Sequence, residues 1–430
     1  MDQPVIIVLM NSSLTVRFCI MMFLQFFIWG VWYVPMWPYL GTLGVEPVLR
    51  GTAYAATGVA AMISPFIVGM IADRFFSTQK VFGFLHLAGG ISLLMVGMAE
   101  TWDDFYPYLL IHLVCYMPTL ALSNSLCFQN MSDPQKQFPP IRTLGTIGWI
   151  ASGFIVGSSF LAGESFQFTW PSFLGGDAPP ADWKSIAMTS MPFQIGAFVS
   201  IALGLYSFSL PDTPPKLKGK SVTPAEVLGL KALRLMKDPS FAVFIVCSFL
   251  VCIPLSFYFQ SANGFLKEMG VANSEGVMTL GQVSEIFFLL LIPFFFRKLG
   301  VKKMLIIGML FWVLRYVLFA QSDPETHYLL FLGVIFHGIC YDFFFVTGQL
   351  YVDKAAPDDI RSGAQGFIAF VTLGAGMFVG GLLNGWWNEK QTIDGTLDWA
   401  AVWNFPAVMA GVVLVVFLLT FKDPDREAAA

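Results

Sequence analysis

The sequence predicts an all-α integral membrane protein of twelve transmembrane helices, arranged as two six-helix halves. Hydrophobic types make up 56% of its 430 residues and charged types only 12%, about half the share of roughly 25% found in soluble domains. Apolar runs recur along the whole chain, each long enough for the roughly 20 residues that cross a bilayer. The basic residues alternate between the two sides of such a bundle, which supports the number of spans.

Nine of the predicted spans contain no charged residue. They are residues 18–45, 51–72, 81–99, 105–132, 143–163, 185–211, 239–266, 362–388 and 399–421. The other three carry one interior charge each and are 276–296 with Glu285, 304–322 with Arg315 and 326–352 with Asp342. The first span is long enough to stay in the membrane, so we interpret it as a mature helix and not as a cleaved signal peptide. We expect the segment before Met10 to be dispensable.

Basic residues set the predicted orientation. If the N-terminus is cytoplasmic, the outside loops hold only Arg50, Lys184, Lys267 and Lys390. Arg315 lies within a span, so the other 19 of the 24 basic residues fall inside. Because basic loops stay in the cytoplasm, this asymmetry predicts that both termini are cytoplasmic.

The domain organisation follows from one long basic loop, 211–238. It separates an N-terminal half, 1–210, from a C-terminal half, 239–430. Helical spacing from Pro224 to Met236 predicts a short helix lying along the membrane surface. A second long loop, 164–187, is predicted to lie outside and is rich in Gly, Pro and aromatic residues.

Two motifs point to a repeated architecture. Ile141-Arg142 opens the fifth span and Ile360-Arg361 opens the eleventh, which is the fifth helix of the other half. Two weakly similar six-helix halves are typical of the major facilitator fold. The turn after the second span reads Gly69-x-x-x-Asp73-Arg74, which resembles the loop signature of that superfamily. Asp73 and Arg74 are either an ordinary charged turn or, as we predict, a conformational latch between the halves.

Composition and motifs also exclude several classes of function. The net charge of -4 is small, and no basic cluster suggests nucleic-acid binding. The six cysteines lie in apolar stretches without metal-ligand spacing, and there is no G-x-x-x-x-G-K-[ST] phosphate loop. We therefore predict a protein that is not an enzyme, with no metal, cofactor or ATP use. A gradient must then drive transport; membrane carboxyl groups favour protons, and sodium stays open.

Polar groups within a membrane are costly and are candidate functional residues. In the eighth span, Gln282 and Glu285 share a helix face, and a carboxyl group in apolar surroundings favours its protonated form. In the tenth span, His337 and Tyr341 are one turn apart and Asp342 follows directly. We predict that these five side chains line a cavity, with Glu285 and Asp342 as proton carriers; the alternative is structural ion pairing.

Further candidates lie on three other spans. Arg142, Thr146 and Trp149 form a stripe on the fifth span, although Arg142 is also close enough to the predicted cytoplasmic end to snorkel. Gln25 and Trp29 share a face of the first span, where simple packing is the main alternative, and Gln260 lies near the outer end of the seventh. For Arg315 we favour a structural role on a supporting helix.

Over almost its whole length the sequence resembles the bacterial nucleoside:proton symporters of the major facilitator superfamily. The matching segments are Phe23-Leu24-Gln25-Phe26, Tyr116-Met117-Pro118-Thr119-Leu120, Phe138-Pro139-Pro140-Ile141-Arg142, Gly145-Thr146-Ile147-Gly148, Gln282-Val283-Ser284-Glu285 and Asp342-Phe343-Phe344. Taken together these matches are specific, whereas any one of them alone is not.

The resemblance implies a nucleoside site and a role for each candidate. Arg142, Thr146 and Trp149 would line it from the N-terminal half, and Gln282 and Glu285 would hydrogen-bond the ligand. His337 and Tyr341 would complete the wall, and Asp342 would couple protons. His337 stands where the best-known member of the family has Tyr, and in the seventh span Ser256 and Phe259 stand in place of an amide-bearing pair. These departures leave the base preference open.

The prediction is therefore a proton-coupled nucleoside importer that works by alternating access as a monomer in the bacterial inner membrane. Its expected partners are a small solute, protons and the lipid bilayer. One alternative is a symporter or exporter of another solute, such as a sugar, an oligosaccharide or a drug. A membrane sensor or integral enzyme is the second, but neither a soluble signalling domain nor a catalytic cluster is visible in the sequence.

Overall fold

The fold is a bundle of long helices, described here from a computed structural model. It covers residues 12–171, 174–215, 230–357 and 360–422. Within these ranges the chain forms twelve membrane-length helices or helix pairs, which we number α1 to α12 in chain order. The predicted fold class is confirmed: eight of the described helices are both long and apolar enough to cross a membrane, and one of these contains two spans.

The N-terminal half contains α1 to α6. The helices are α1 (Ser12–Tyr33, continued by Met36–Thr42), α2 (Pro47–Arg74), α3 (Thr78–Val96), α4 (Trp102–Gln129), α5 (Pro134–Ser158) and α6 (Met191–Ser207). The C-terminal half begins with a 3-10 helix, Leu230–Lys237, and α7, Pro239–Glu268. The surface helix predicted from Pro224 to Met236 is described only from residue 230, where it is 3-10 and not α-helical.

The remaining helices follow α7 without a long connection. One helix, Ser274–Ala320, breaks at Gly300 into α8 and α9, because only glycine readily adopts the φ of 69° found there. The others are α10 (His327–Ala355), α11 (Arg361–Ala369, Phe370–Gly376 and Met377–Lys390) and α12 (Trp399–Thr420). Both α10 and α11 contain a π turn, at Asp342–Val346 and Phe370–Gly376.

The structure corrects the predicted fifth span, 143–163. Helix α5 begins nine residues earlier, at Pro134, because Asp133 caps it and a proline is favourable at the first helical position. It ends at Ser158, where strand β1 (Ser159–Ala162) begins; β1 pairs with β2 (Ser165–Phe168) and β3 (Lys184–Ser185). Part of the long loop 164–187 is therefore a small antiparallel sheet. A second hairpin joins β4 (Thr392–Ile393) to β5 (Thr396–Leu397).

The predicted first span, 18–45, is also broken. Pro38 has no N–H to donate to the carbonyl of Val34. The Tyr54 hydroxyl is inserted between the N–H of Trp37 and the carbonyl of Tyr33, in place of the adjacent helical hydrogen bond. This hydroxyl donates to the Tyr33 carbonyl at 2.7 Å and accepts from the Trp37 N–H at 3.1 Å. The break therefore leaves the Val34 carbonyl free to accept a bond from elsewhere.

Two large hydrophobic cores divide the described residues. One is built from residues 18–210 and the other from residues 232–421 together with Val34. The halves touch where α1 meets α7, α2 meets α11 and α5 meets α8. Glycines permit the approach: a methyl group on Gly51 would lie 2.5 Å from the Gly381 carbonyl oxygen, and one on Gly157 would lie 2.4 Å from the Gly276 nitrogen.

These glycine contacts lie toward one end of the bundle, near the connections 43–46, 159–190, 269–273 and 391–398. We call this the closed end. The described chain begins and ends at the opposite end, which also bears the loops 75–77 and 130–133.

Candidate functional site

A small cavity lies between the two halves, next to the closed end. Its lining includes Trp149 and Gly153 from α5, Phe259 from α7, and Glu275, Thr279 and Gln282 from α8. Two of the predicted site residues, Trp149 and Gln282, therefore face the same space. Polar groups from α8 and aromatic rings from α5 and α7 thus meet at this cavity.

Aromatic rings join the two halves around this cavity. Trp149 meets Trp29 edge to face at 5.6 Å between ring centroids. The Phe259 ring lies 6.0 Å from Tyr33 and 6.4 Å from Trp149, so this α7 residue contacts two aromatic residues of the other half. Trp29 thus packs against Trp149, a residue that lines the cavity, and Phe259 occupies a position that we noted only as a departure from the family.

Charged groups of the two halves face each other farther from the closed end. Arg142 lies nine residues into α5 and not at its end, and its guanidinium is 4.1 Å from the centroid of the Phe26 ring. It interacts electrostatically with Glu285 and Tyr341 of the C-terminal half. The side chain therefore faces into the bundle, and the alternative of a snorkelling arginine is wrong for this conformation. Thr146, one turn farther on, is half-buried.

Glu285 is the centre of the polar groups on the C-terminal side. One carboxylate oxygen is 3.9 Å from Nε2 of His337, and 20% of its side chain remains exposed. The ring of His337 lies 5.3 Å from that of Tyr341. The structure thus brings together Arg142, Glu285, His337 and Tyr341 from three helices, as the spacing and the family resemblance predicted.

Asp342 is fully buried at the start of the π turn in α10. Neither of its carboxyl oxygens has a hydrogen-bond partner among the described residues, and its charge interacts with that of Glu285. An unpartnered carboxylate in an apolar interior is costly, and protonation removes that cost. The two acids predicted to carry protons are therefore close enough to influence each other.

Two of the predicted ligand contacts are occupied by protein partners. Gln25 is fully buried and donates to Thr119 at 2.7 Å, while its side-chain oxygen Oε1 accepts from Nε2 of His86 at 2.7 Å. Gln260 is also fully buried and donates to Ser256 at 2.5 Å, although its own oxygen lacks a partner among the described residues. Neither glutamine is among the residues that line the cavity.

Sequence reasoning missed a polar network beside the cavity. Glu275 is buried and pairs with Lys267 at 2.8 Å; Asn263 also donates to it at 2.8 Å. The same Asn263 amide donates at 3.4 Å to the carbonyl of Val34, the one left free by the break in α1. The network thus holds the halves together at the closed end. In the sequence, Pro35 and Pro38 were the residues that could have indicated the break in α1 and its free carbonyl.

Arg315, for which the sequence favoured a structural role on a supporting helix, lies beside the site. It is fully buried on α9, and its Nη1 lies 3.1 Å from Nδ1 of His337. This arginine therefore contacts a site residue directly. The side chains of the predicted latch, Asp73 and Arg74, lie outside the described part of the structure.

Comparisons with known proteins agree with this geometry. The family model described as "Nucleoside H+ symporter" matches residues 12–426. The chain is 43% identical over 425 residues to the putative nucleoside transporter YegT of Escherichia coli (strain K12), covering 97% of this chain and 96% of the relative. It is 31% identical to the nucleoside permease NupG and 30% identical to the xanthosine permease of the same organism; each match covers 96% of this chain, and 96% and 98% of these relatives.

Solved structures give the same picture. The crystal structure of nucleoside transporter NupG superposes with a TM-score of 0.81 at 31% identity, covering 96% of this chain and all of the other. A bacterial homologue of the human lysosomal transporter Spinster gives a TM-score of 0.73 at 13% identity, covering 99% of each chain. At that identity the second match shows only that the fold is shared.

Proposed function

Because this chain belongs to the nucleoside H⁺ symporter family, we propose that it imports nucleosides in symport with protons across the bacterial inner membrane. It is a multi-pass membrane transporter and not an enzyme. The observation that carries the proposal of mechanism is the position of Glu285. This carboxyl group faces Arg142 of the other half and lies 3.9 Å from His337, within the membrane-spanning bundle.

The nucleoside binds between the halves at the proposed site. Trp149 and Phe259 offer aromatic faces against which the base can stack, because planar rings favour offset or edge contacts with aromatic side chains. Gln282 and Glu285 lie on one face of α8 and are placed to hydrogen-bond the ribose hydroxyls. Arg142 and Thr146 complete the site from α5, with Tyr341 opposite. Gln25 and Gln260 support this site from behind.

Proton coupling uses the two neighbouring acids. When Glu285 and Asp342 are both ionised, like charges interact in a medium with little water, so one proton is favoured between them. Protonation lowers the cost of closing the cavity around the pair. Each elementary charge that moves through 100 mV gains about 2.3 kcal/mol, which the transporter uses to accumulate the nucleoside.

Alternating access follows from the close approach of the two halves at the closed end. The described chain begins and ends opposite the closed end, and the distribution of basic residues assigns that side to the cytoplasm. The closed end therefore faces the outside, and this conformation releases solute inward. Asp73 and Arg74 act as a latch that forms as the halves rock, and a single chain suffices because both halves are present in it.

Uptake into proteoliposomes tests the proposal. Radiolabelled uridine, adenosine and xanthosine are each offered with and without an inward proton gradient. We expect accumulation that needs the gradient and collapses with a protonophore. Glu285→Gln should abolish it, whereas Glu325→Gln, a matched change on an exposed loop, should have no effect. Gradient-dependent uptake of none of the three nucleosides by folded protein would refute the function and direct the search to sugars and other glycosides.

A further inference from the structure

Arg315 is a buried cation that the proposed transport mechanism does not use. Its side chain is 0% exposed, and no carboxylate of the described residues lies within 4.0 Å of it. Its Nε and Nη2 also lack partners there. Burying an unpaired charge is unfavourable unless its surroundings compensate. The groups that surround Arg315 therefore indicate the role of its side chain.

Those surroundings are aromatic on one side and polar on the other. The guanidinium carbon lies 3.3 Å from the centroid of the Tyr258 ring, a close cation–π contact that partly replaces hydration. The ring of His337 stacks on the same tyrosine at 5.1 Å. Nη1 of Arg315 then reaches Nδ1 of His337 at 3.1 Å and the sulfur of Cys340 at 3.6 Å. Arginine and histidine are thus held edge to edge against one ring.

The arginine settles which nitrogen of His337 carries the proton. A guanidinium has only donors and does not lose its charge in proteins. Nδ1 must therefore accept the hydrogen bond, which leaves Nε2 as the protonated nitrogen of a neutral ring. Nε2 is the atom that lies 3.9 Å from the carboxylate of Glu285. His337 consequently presents an N–H donor toward the site.

We infer that Arg315 is a positioning residue, which locks His337 as a neutral, donor-only side chain facing Glu285 and the bound solute. This deepens the proposed function and rests on it for the identity of the solute. The histidine then binds an oxygen acceptor of a nucleoside, either a carbonyl of the base or a ribose oxygen. It does not carry the transported proton, which is left to Glu285 and Asp342.

The other charged and titratable groups around His337 are compatible with this role. Glu285 on α8 faces it from across the site, and Tyr258 stacks on it from α7. Arg142 on α5 interacts in turn with that Glu285. Tyr341, Asp342 and Cys340 lie on the same helix as His337, and Arg315 is its partner on α9. Of these, only Arg315 is placed to donate to Nδ1 in the described structure, so its removal frees that nitrogen.

Nitrogen NMR on the full-length protein in lipid nanodiscs tests the tautomer directly. The chain has only four histidines, so ¹⁵N-histidine labelling is selective, and His337→Gln assigns the signal. We expect an unprotonated Nδ1 and a protonated Nε2 between pH 5 and pH 8. Arg315→Met should change this to a tautomer mixture or an imidazolium, whereas Arg297→Met, at an exposed arginine, should not. An imidazolium or a protonated Nδ1 in the unmodified protein would overturn the inference.

Transport kinetics supply the second measurement. Losing one positioned hydrogen bond to the solute should raise KM for uridine about tenfold in Arg315→Met. The same substitution should have no further effect in a His337→Gln background, because the arginine acts through the histidine. An equal rise in KM in both backgrounds would show a merely structural arginine. The NMR result does not depend on transport, so failure of the proposed function is distinguishable from failure of this inference.

Discussion

The glycine contact between α5 and α8 predicts how one methyl group changes the conformational equilibrium. In Gly157→Ala, the new Cβ would lie 2.4 Å from the Gly276 nitrogen and 3.1 Å from its Cα. Both are backbone atoms and cannot turn aside as a flexible side chain can. Ordinary contact begins at 3.4 Å, so the halves must separate by about 1 Å at the closed end.

The free-energy cost can be estimated from this clash. Overpacking by one methyl group costs about 1–3 kcal/mol, and in the alternating-access cycle only the conformation with a closed outer end bears it. Because about 1.4 kcal/mol is a factor of ten, the closed population should fall by roughly 5- to 150-fold relative to the open one. Replacing glycine in a helix also gains about 1 kcal/mol in helix propensity, which must be controlled for.

Gly411→Ala is the matched control. Gly411 lies within α12, and a methyl group there would meet no atom within 4 Å. We propose nitroxide labels on Glu164 and Ala272, two exposed positions at the closed end in different halves. Introducing them as non-natural amino acids leaves the six native cysteines in place. Pulsed electron paramagnetic resonance should show a longer distance in Gly157→Ala; a distribution identical to that of Gly411→Ala would refute the reasoning.

Three further predictions concern buried polar groups. Asp342→Asn keeps the side-chain shape but removes the acid, so nucleoside accumulation should be lost while counterflow exchange persists in proteoliposomes; full accumulation would exclude a coupling role. Lys267→Met leaves Glu275 buried without its cation, which typically costs about 3–5 kcal/mol; the melting temperature in nanodiscs should fall, and an unchanged value would contradict a stabilising pair. Tyr54→Phe removes two hydrogen bonds to backbone groups at the break in α1, so the folded protein should lose about 2 kcal/mol of stability. Tyr328→Phe, on the surface, is the control and should lose none. Equal melting temperatures of the two variants would contradict the proposed role of Tyr54 at the break.

The number of helices was predictable because a membrane imposes the same requirement on every span. Each helix must satisfy its own backbone hydrogen bonds and present apolar side chains to lipid, so runs of about 20 apolar residues identify them one by one. The boundaries were less certain. The segment 143–163 reads as one apolar span, but Asp133 and Pro134 start α5 earlier and strand pairing ends it at Ser158.

The candidate site was predictable only in part. A charge within a span stands out in any sequence, so Glu285 and Asp342 could be identified without coordinates. The family resemblance suggested roles for both and for Arg142. Helical spacing also grouped Gln25 with Trp29. It could not show that the amide of Gln25 bonds His86 and Thr119, because those partners come from other helices.

By itself the sequence determined a twelve-helix transporter with acids in its membrane interior, since composition, span length and basic loops act along the chain. The tertiary structure decided which polar groups meet across helices. It placed Arg315 against His337 and Asn263 against the free carbonyl of Val34, 229 residues away. Such partners depend on how helices rotate and pack against one another, because a buried polar group takes its hydrogen bonds from whichever helix lies beside it.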